Sequence, residues 1–109
     1  GEFSAFHRIA SDELWHHYDG DTLHIFEITA HGTLYIHALG TEPGALPFAV
    51  IKAGSWFGSR VAPAGNYTLC GCSVAPGFDF ADFEMADREA LTSEYPQHTD
   101  IIKQLTHVQ

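Results

Sequence analysis

Apolar and polar positions alternate along the chain in short pulses, each closed by a turn signal. Residues 13–18, ELWHHY, run into Asp19-Gly20-Asp21, a run of turn formers. Residues 22–29, TLHIFEIT, alternate with Leu23 and Ile25 against His24 and Phe26, and His31-Gly32 marks the next turn. Residues 33–39, TLYIHAL, set Leu34, Ile36 and Ala38 on one face and Tyr35 and His37 on the other. Turns recur about every ten residues, the rhythm of a β meander or barrel. A loop rich in proline and glycine, GTEPGALP at 40–47, precedes two further strands, FAVIKAG and SWFGSRVA. PAGN at 63–66 turns the chain into YTLCGCSVA at 67–75, and PGFD at 76–79 ends the β region.

The tail changes character. Asp87 is placed to cap a short helix through REALTSEY, stopped by Pro96. Thr99 or Asp100 is expected to cap a last one, IIKQL. The pattern therefore predicts six or seven short strands followed by short C-terminal helices. For an all-β chain of this kind, a closed barrel or two-sheet jelly roll is the natural architecture, because either limits exposed strand edges.

Length and charge narrow the choice. A chain of 109 residues is read as one domain spanning 1–109. It can bury roughly two thirds of its unfolded surface. Asp and Glu number 14 against 5 Lys and Arg, a net charge of -9. A nucleic-acid footprint needs clustered cations, and so does attraction to an anionic membrane surface, so neither partner is expected. No apolar stretch reaches the roughly 18 residues of a membrane span, and no secretory leader pattern is present. Cys70 and Cys72 fall on one face of a strand, with Cα atoms about 7 Å apart. A disulfide between them would be strained, so they are expected to be reduced, which fits a cytoplasmic protein.

Candidate chemistry concentrates in SDELWHHYDGD, residues 11–21. Alternation puts Glu13, Trp15 and His17 on one face and Leu14, His16 and Tyr18 on the other, unless a bulge switches them. A divalent metal (Mn, Fe, Ni or Zn) would draw on His7, Glu13 and one of His16 or His17, although no cofactor is expected. Proton transfer next to a carbonyl needs a base and an opposed acid. His7 or His16 suits the base, oriented by Glu13, and Tyr18 or Tyr67 suits the acid. Arg8 and Arg60 are candidates to clamp a carboxylate or phosphate, with pairing to Glu13, Asp12 or Asp79 as the plainer alternative. Trp15, Trp56, Phe57, Phe80 and Phe83 either line a pocket mouth or fill the core. Arg8, Trp56, Arg60 and Tyr67 are accordingly the ligand-binding candidates. So few cations favour a small neutral or singly anionic ligand over a sugar nucleotide. His24, His31, His37, His98 and His107 are read as ordinary structural or surface residues.

The spacing of HRIASDELWHHYDG resembles the first cupin motif, in which two histidines precede a glutamate and a glycine follows it. His7 stands for the first imidazole, Glu13 for the carboxylate and Gly20 for the glycine, but Ile9 occupies the place of the second imidazole. VIKAGSWFGSR is similar to the second motif, with Lys52 at the usual proline and Phe57 at the ligand histidine. Taken with SAFHR and LCGCSVAPGFDFADFEM, these segments resemble a family of small uncharacterised cupins. That resemblance implies an RmlC-like double-stranded β-helix, similar to sugar-nucleotide epimerases, and it favours His16 through its Trp-His pair. It implies a small-molecule ligand, with an isomerase or epimerase as the enzyme reading. The alternative is a non-catalytic homodimeric β module whose histidines and aromatics build a subunit interface. Members of that family usually carry several dozen residues ahead of the segment matching SAFHR. On that comparison the barrel is expected to lack a strand, and so to expose an edge or borrow a strand from a partner.

Overall fold

Strands whose two faces differ must pair and stack, and here they form two antiparallel sheets. A computed structural model describes residues 3–75 and 83–107. In chain order the elements are β1 (Phe3–Arg8), β2 (Asp12–Gly20), β3 (Leu23–Ile28), β4 (Leu34–Leu39) and β5 (Phe48–Ile51). They continue with β6 (Trp56–Val61), β7 (Thr68–Ala75), β8 (Glu84–Met85), α1 (Arg88–Glu94) and α2 (Thr99–Gln104), with a single 3-10 turn at Pro96–His98. One sheet has five strands in the order β4-β3-β6-β1-β8, and the other has three in the order β5-β2-β7. This is the expected all-β jelly roll with short C-terminal helices.

Three layers follow from the alternation. Leu23, Ile25, Leu39 and Phe57 on the larger sheet meet Trp15, Ala49 and Ile51 on the smaller one, and Ile9 joins them. The opposite face of the larger sheet carries Phe6, Phe26, Ile28 and Trp56, which are covered by Leu91, Ile102 and Leu105 of the helical tail. Both faces of the larger sheet are thus largely covered, with β4 at its edge more open. Among the described residues, no helix covers the outer face of the smaller sheet. Phe48, Val50, Tyr18 and Leu69 are exposed there.

β1 is a strand that the pattern did not announce. Phe3, Ala5 and Phe6 break strict alternation, and the pairing of β1 with β6 slips between Ser4 and His7. The slip is a bulge, which re-aims the following side chains. Gly58 of β6 lies beneath it. A Cβ there would stand 2.9 Å from the Ser4 carbonyl, so only glycine permits the approach.

The helices end as expected at one end and differently at the other. Asp87 caps α1, accepting from the Glu89 backbone N–H at 3.3 Å. Neither Thr99 nor Asp100 caps α2, since His98 occupies the N-cap and Thr99 is already helical. The Thr99 hydroxyl donates instead to the Pro96 carbonyl at 2.7 Å. Cys70 and Cys72 are both free. Among the described residues, no helix is long and apolar enough to cross a membrane.

Candidate functional site

Strand register decides which polar side chains enter the barrel. On β2, Glu13 pairs with Ile51 and Val74, Trp15 with Ala49 and Cys72, and His17 with Cys70. Residues directly opposite one another in a sheet share a face, so Glu13, Trp15, His17, Cys70 and Cys72 all point inward. The bulge in this strand lies between His17 and Asp19, too late to exchange faces at Glu13. His16 and Tyr18 therefore lie on the outside, their rings parallel with centroids 6.5 Å apart. This corrects the preference for His16. The imidazole on the face of Glu13 is that of His17, and its Nε2 lies 3.2 Å from the Asp21 carbonyl at the far end of the strand.

On the larger sheet, one cross-strand row runs Tyr35, Glu27, Phe57, His7, Met85. Phe57 belongs to the interior core, so His7 faces inward beside it, with ring centroids 4.2 Å apart. The His7 Nδ1–H donates to the Ala5 carbonyl at 2.8 Å, which leaves Nε2 for the interior. Across the barrel, the Glu13 carboxylate accepts from Trp15 Nε1–H at 3.1 Å. Burial raises the Glu13 carboxyl above its ordinary value of 4.5, while the Trp15 hydrogen bond and the nearby His7 pull it back down. His7 and Glu13 thus both face the interior, from opposite sheets, near enough for the imidazole to pull the carboxyl down. Desolvation of its sulfur, then Glu13 and Cys70, push the Cys72 thiol up to about 12. Cys72 is nonetheless an exposed residue, because β7 forms an edge of its sheet.

A second polar pair occupies the same end of the barrel. Glu27 follows Leu23 and Ile25 on the inward face of β3, where alternation calls for an apolar residue. It is 4% exposed. Its Oε1 accepts from His37 Nε2–H at 2.8 Å, and its Oε2 accepts from the Lys52 backbone N–H at 3.3 Å. His37, read from the sequence as an ordinary structural or surface residue, has its ring held on a buried carboxylate. The signal was present in the sequence as an acid in register with two core residues.

The remaining candidates lie elsewhere. The guanidinium of Arg8 lies over the Trp56 ring at 4.4 Å and pairs with Glu84 at 3.0 Å, neither Asp12 nor Glu13 being its partner. Trp56 belongs to the layer between sheet and helices, and with Arg8 it borders a depression of about 200 Å³. Arg60 donates to Gln104 at 2.5 Å and lies over Phe26. It shares with Tyr67 a wide cleft of about 970 Å³ at the β6–β7 turn. Tyr67 OH donates to Asp19 at 3.0 Å. The four ligand-binding candidates therefore divide between two surface depressions, and neither depression is lined by His7 or Glu13. Asp79 and Phe80 lie outside the described residues, as does the whole PGFDFAD segment. Phe83 stacks on His7 with centroids 5.2 Å apart.

His16 points away from His7 and Glu13, Ile9 is core, and Phe57 stands where a further imidazole would be needed. Among the described residues, no group of three or more His, Cys, Asp and Glu side chains converges as a ligand set. The described residues alone do not make up a ligand set for a resident divalent ion.

Residues 1–86 match the family described as Cupin superfamily (DUF985). The chain belongs to this cupin family. The crystal structure of protein SO0799 from Shewanella oneidensis superposes at a TM-score of 0.93 with 39% identity, covering all of this cupin and 70% of that chain. A hypothetical protein from Leishmania major superposes at 0.91 with 32% identity, covering 97% of this cupin and 70% of its own chain. None of the curated proteins matches.

Proposed function

We propose that this cupin binds a small molecule at the polar end of its barrel, with His7 and Glu13 as the groups that face it. One observation carries the reading: an imidazole on one sheet and a half-buried carboxylate on the other both face the interior beside Trp15 and Phe57, and the imidazole pulls the carboxyl down. Burial lifts the carboxyl toward the range in which it can hold or release a proton, and His7 offers a free Nε2 beside it. That pairing suits an isomerase or epimerase step, in which a proton leaves and returns next to a carbonyl. The chemistry asks for no metal and no organic cofactor. Two free cysteines agree with a reducing, cytoplasmic setting.

Thermal denaturation against a panel of sugars, sugar phosphates and short acids tests this. At least one compound is expected to raise Tm by more than about 2 °C through selective binding to the folded state. Glu13→Gln and His7→Gln should each abolish that rise. A blank across the panel, or an undiminished rise in both variants, overturns the proposal.

A second reading has its own support. Leu14, His16, Tyr18, Phe48, Val50 and Leu69 share the uncovered face of the smaller sheet, with acids only toward the ends of β2, at Asp12 and Asp19. On a chain of net charge -9, such a face suits the approach of a second copy. The protein would then be a homodimeric β module, and His16→Ala would weaken the dimer and leave ligand affinity unchanged. A stable monomer in sedimentation equilibrium rejects it.

A further inference from the structure

Glu27 and His37 carry an inference of their own. A carboxylate at position 27 costs desolvation that an apolar residue would not. Replacing a buried ion pair by apolar side chains is often neutral or stabilising, so fold stability alone does not call for the pair. Both Glu27 oxygens are used, one by the His37 ring and one by the Lys52 backbone N–H. The ring is therefore held with a proton on Nε2, and in its neutral form the lone pair sits on Nδ1. Among the described residues, Nδ1 has no hydrogen-bond partner, and it is not among the buried unsatisfied atoms, so it reaches solvent. A buried carboxylate fixing one nitrogen of a partly exposed imidazole makes the other nitrogen an oriented proton acceptor. The side chains are 27% and 5% exposed, so the imidazole is reachable and the carboxylate is not.

The surroundings define the partner. Tyr35 shares the face of His37 on the edge strand β4, its ring 6.5 Å away and largely open. It offers a flat aromatic surface near the imidazole. Glu13 stands at the same end of the barrel, and the whole chain carries a charge of -9, both of which disfavour an anion. We propose that His37, positioned by Glu27, accepts a hydrogen bond from a hydroxyl of an uncharged, hydroxylated small molecule seated against Tyr35 at the polar end of the barrel. The proposal rests on the barrel-end site above and names the ligand class that site takes.

Nitrogen-15 spectra of the histidine rings test it, with D-glucose as the hydroxylated probe and 1,4-dioxane as a ring without hydroxyls. In the free protein His37 should carry its proton on Nε2. Glucose should shift the Nδ1 resonance saturably, and dioxane should not. Glu27→Gln keeps an acceptor but removes the charge. It should weaken the glucose response roughly tenfold, the effect of losing one charge-assisted hydrogen bond. His37 protonated on Nδ1 overturns the proposal without needing any variant to fold. So does a glucose titration that leaves Nδ1 unmoved, or an undiminished response in Glu27→Gln. A His37 response that survives Glu13→Gln retires the His7–Glu13 reading and keeps this one. A panel compound that depends on Glu13 while Nδ1 stays unmoved does the reverse.

Discussion

Glu13 is held in the protein with its carboxyl raised by burial, and the sign of the consequence is definite. Between its ordinary value of 4.5 and the raised folded value, the folded state binds more protons than the unfolded state. The contribution of this group to stability is greatest below 4.5 and falls as pH rises through the folded value. Glu13→Gln is therefore expected to raise Tm at pH 7. The gain should shrink as pH drops toward 4.5, measured by thermal melts across that range. At this scale the residue types were legible in the sequence, and their company was not. Glu13 and His7 stood out from their motif. His16 and His17 could not be told apart until the pairing of Trp15 with Cys72 showed the alternation running unbroken past them. Glu27 was readable as an acid in phase with Leu23 and Ile25, but its meaning needed His37 across the hairpin.

Turns decide how the elements are joined. Gly20 closes β2 with φ of +91°, a conformation that disfavours side chains. A Cβ there would meet the Tyr67 carbonyl at 2.5 Å, and that carbonyl accepts the Asp21 N–H. Gly20→Ala should destabilise by more than about 1 kcal/mol in urea unfolding, combining backbone strain with the clash. Strands β2 to β7 were legible because each is a short alternating or apolar run bounded by turn residues. β1 was not, because both of its faces are buried and its bulge erases the alternation. The cap of α1 could be read from Asp87 alone. The start of α2 could not, since the 3-10 turn after Pro96 shifts the helix and its N-cap makes no side-chain hydrogen bond.

The whole molecule is asymmetric in its burial. Helices seal one sheet, while the outer face of the other stays open. Phe6 is fully buried beneath the helices, and Phe6→Ala should cost about 3–5 kcal/mol in urea unfolding. Phe48 is half exposed on the open face, and Phe48→Ser should change stability by less than about 0.5 kcal/mol. A large loss at Phe48 would show that this face is covered in solution. Two properties belonged to the sequence alone. One was an all-β class with a helical tail, because period and turn chemistry are local. The other was membership in the pool of candidate residues, because residue type is chemistry. What only the tertiary structure decided was partnership. Glu13 faces the same interior as His7, Glu27 holds His37, and Arg8 is drawn away to Glu84, because each relation is set by register between strands. A shift of one residue in any ladder would have chosen different partners from the same letters.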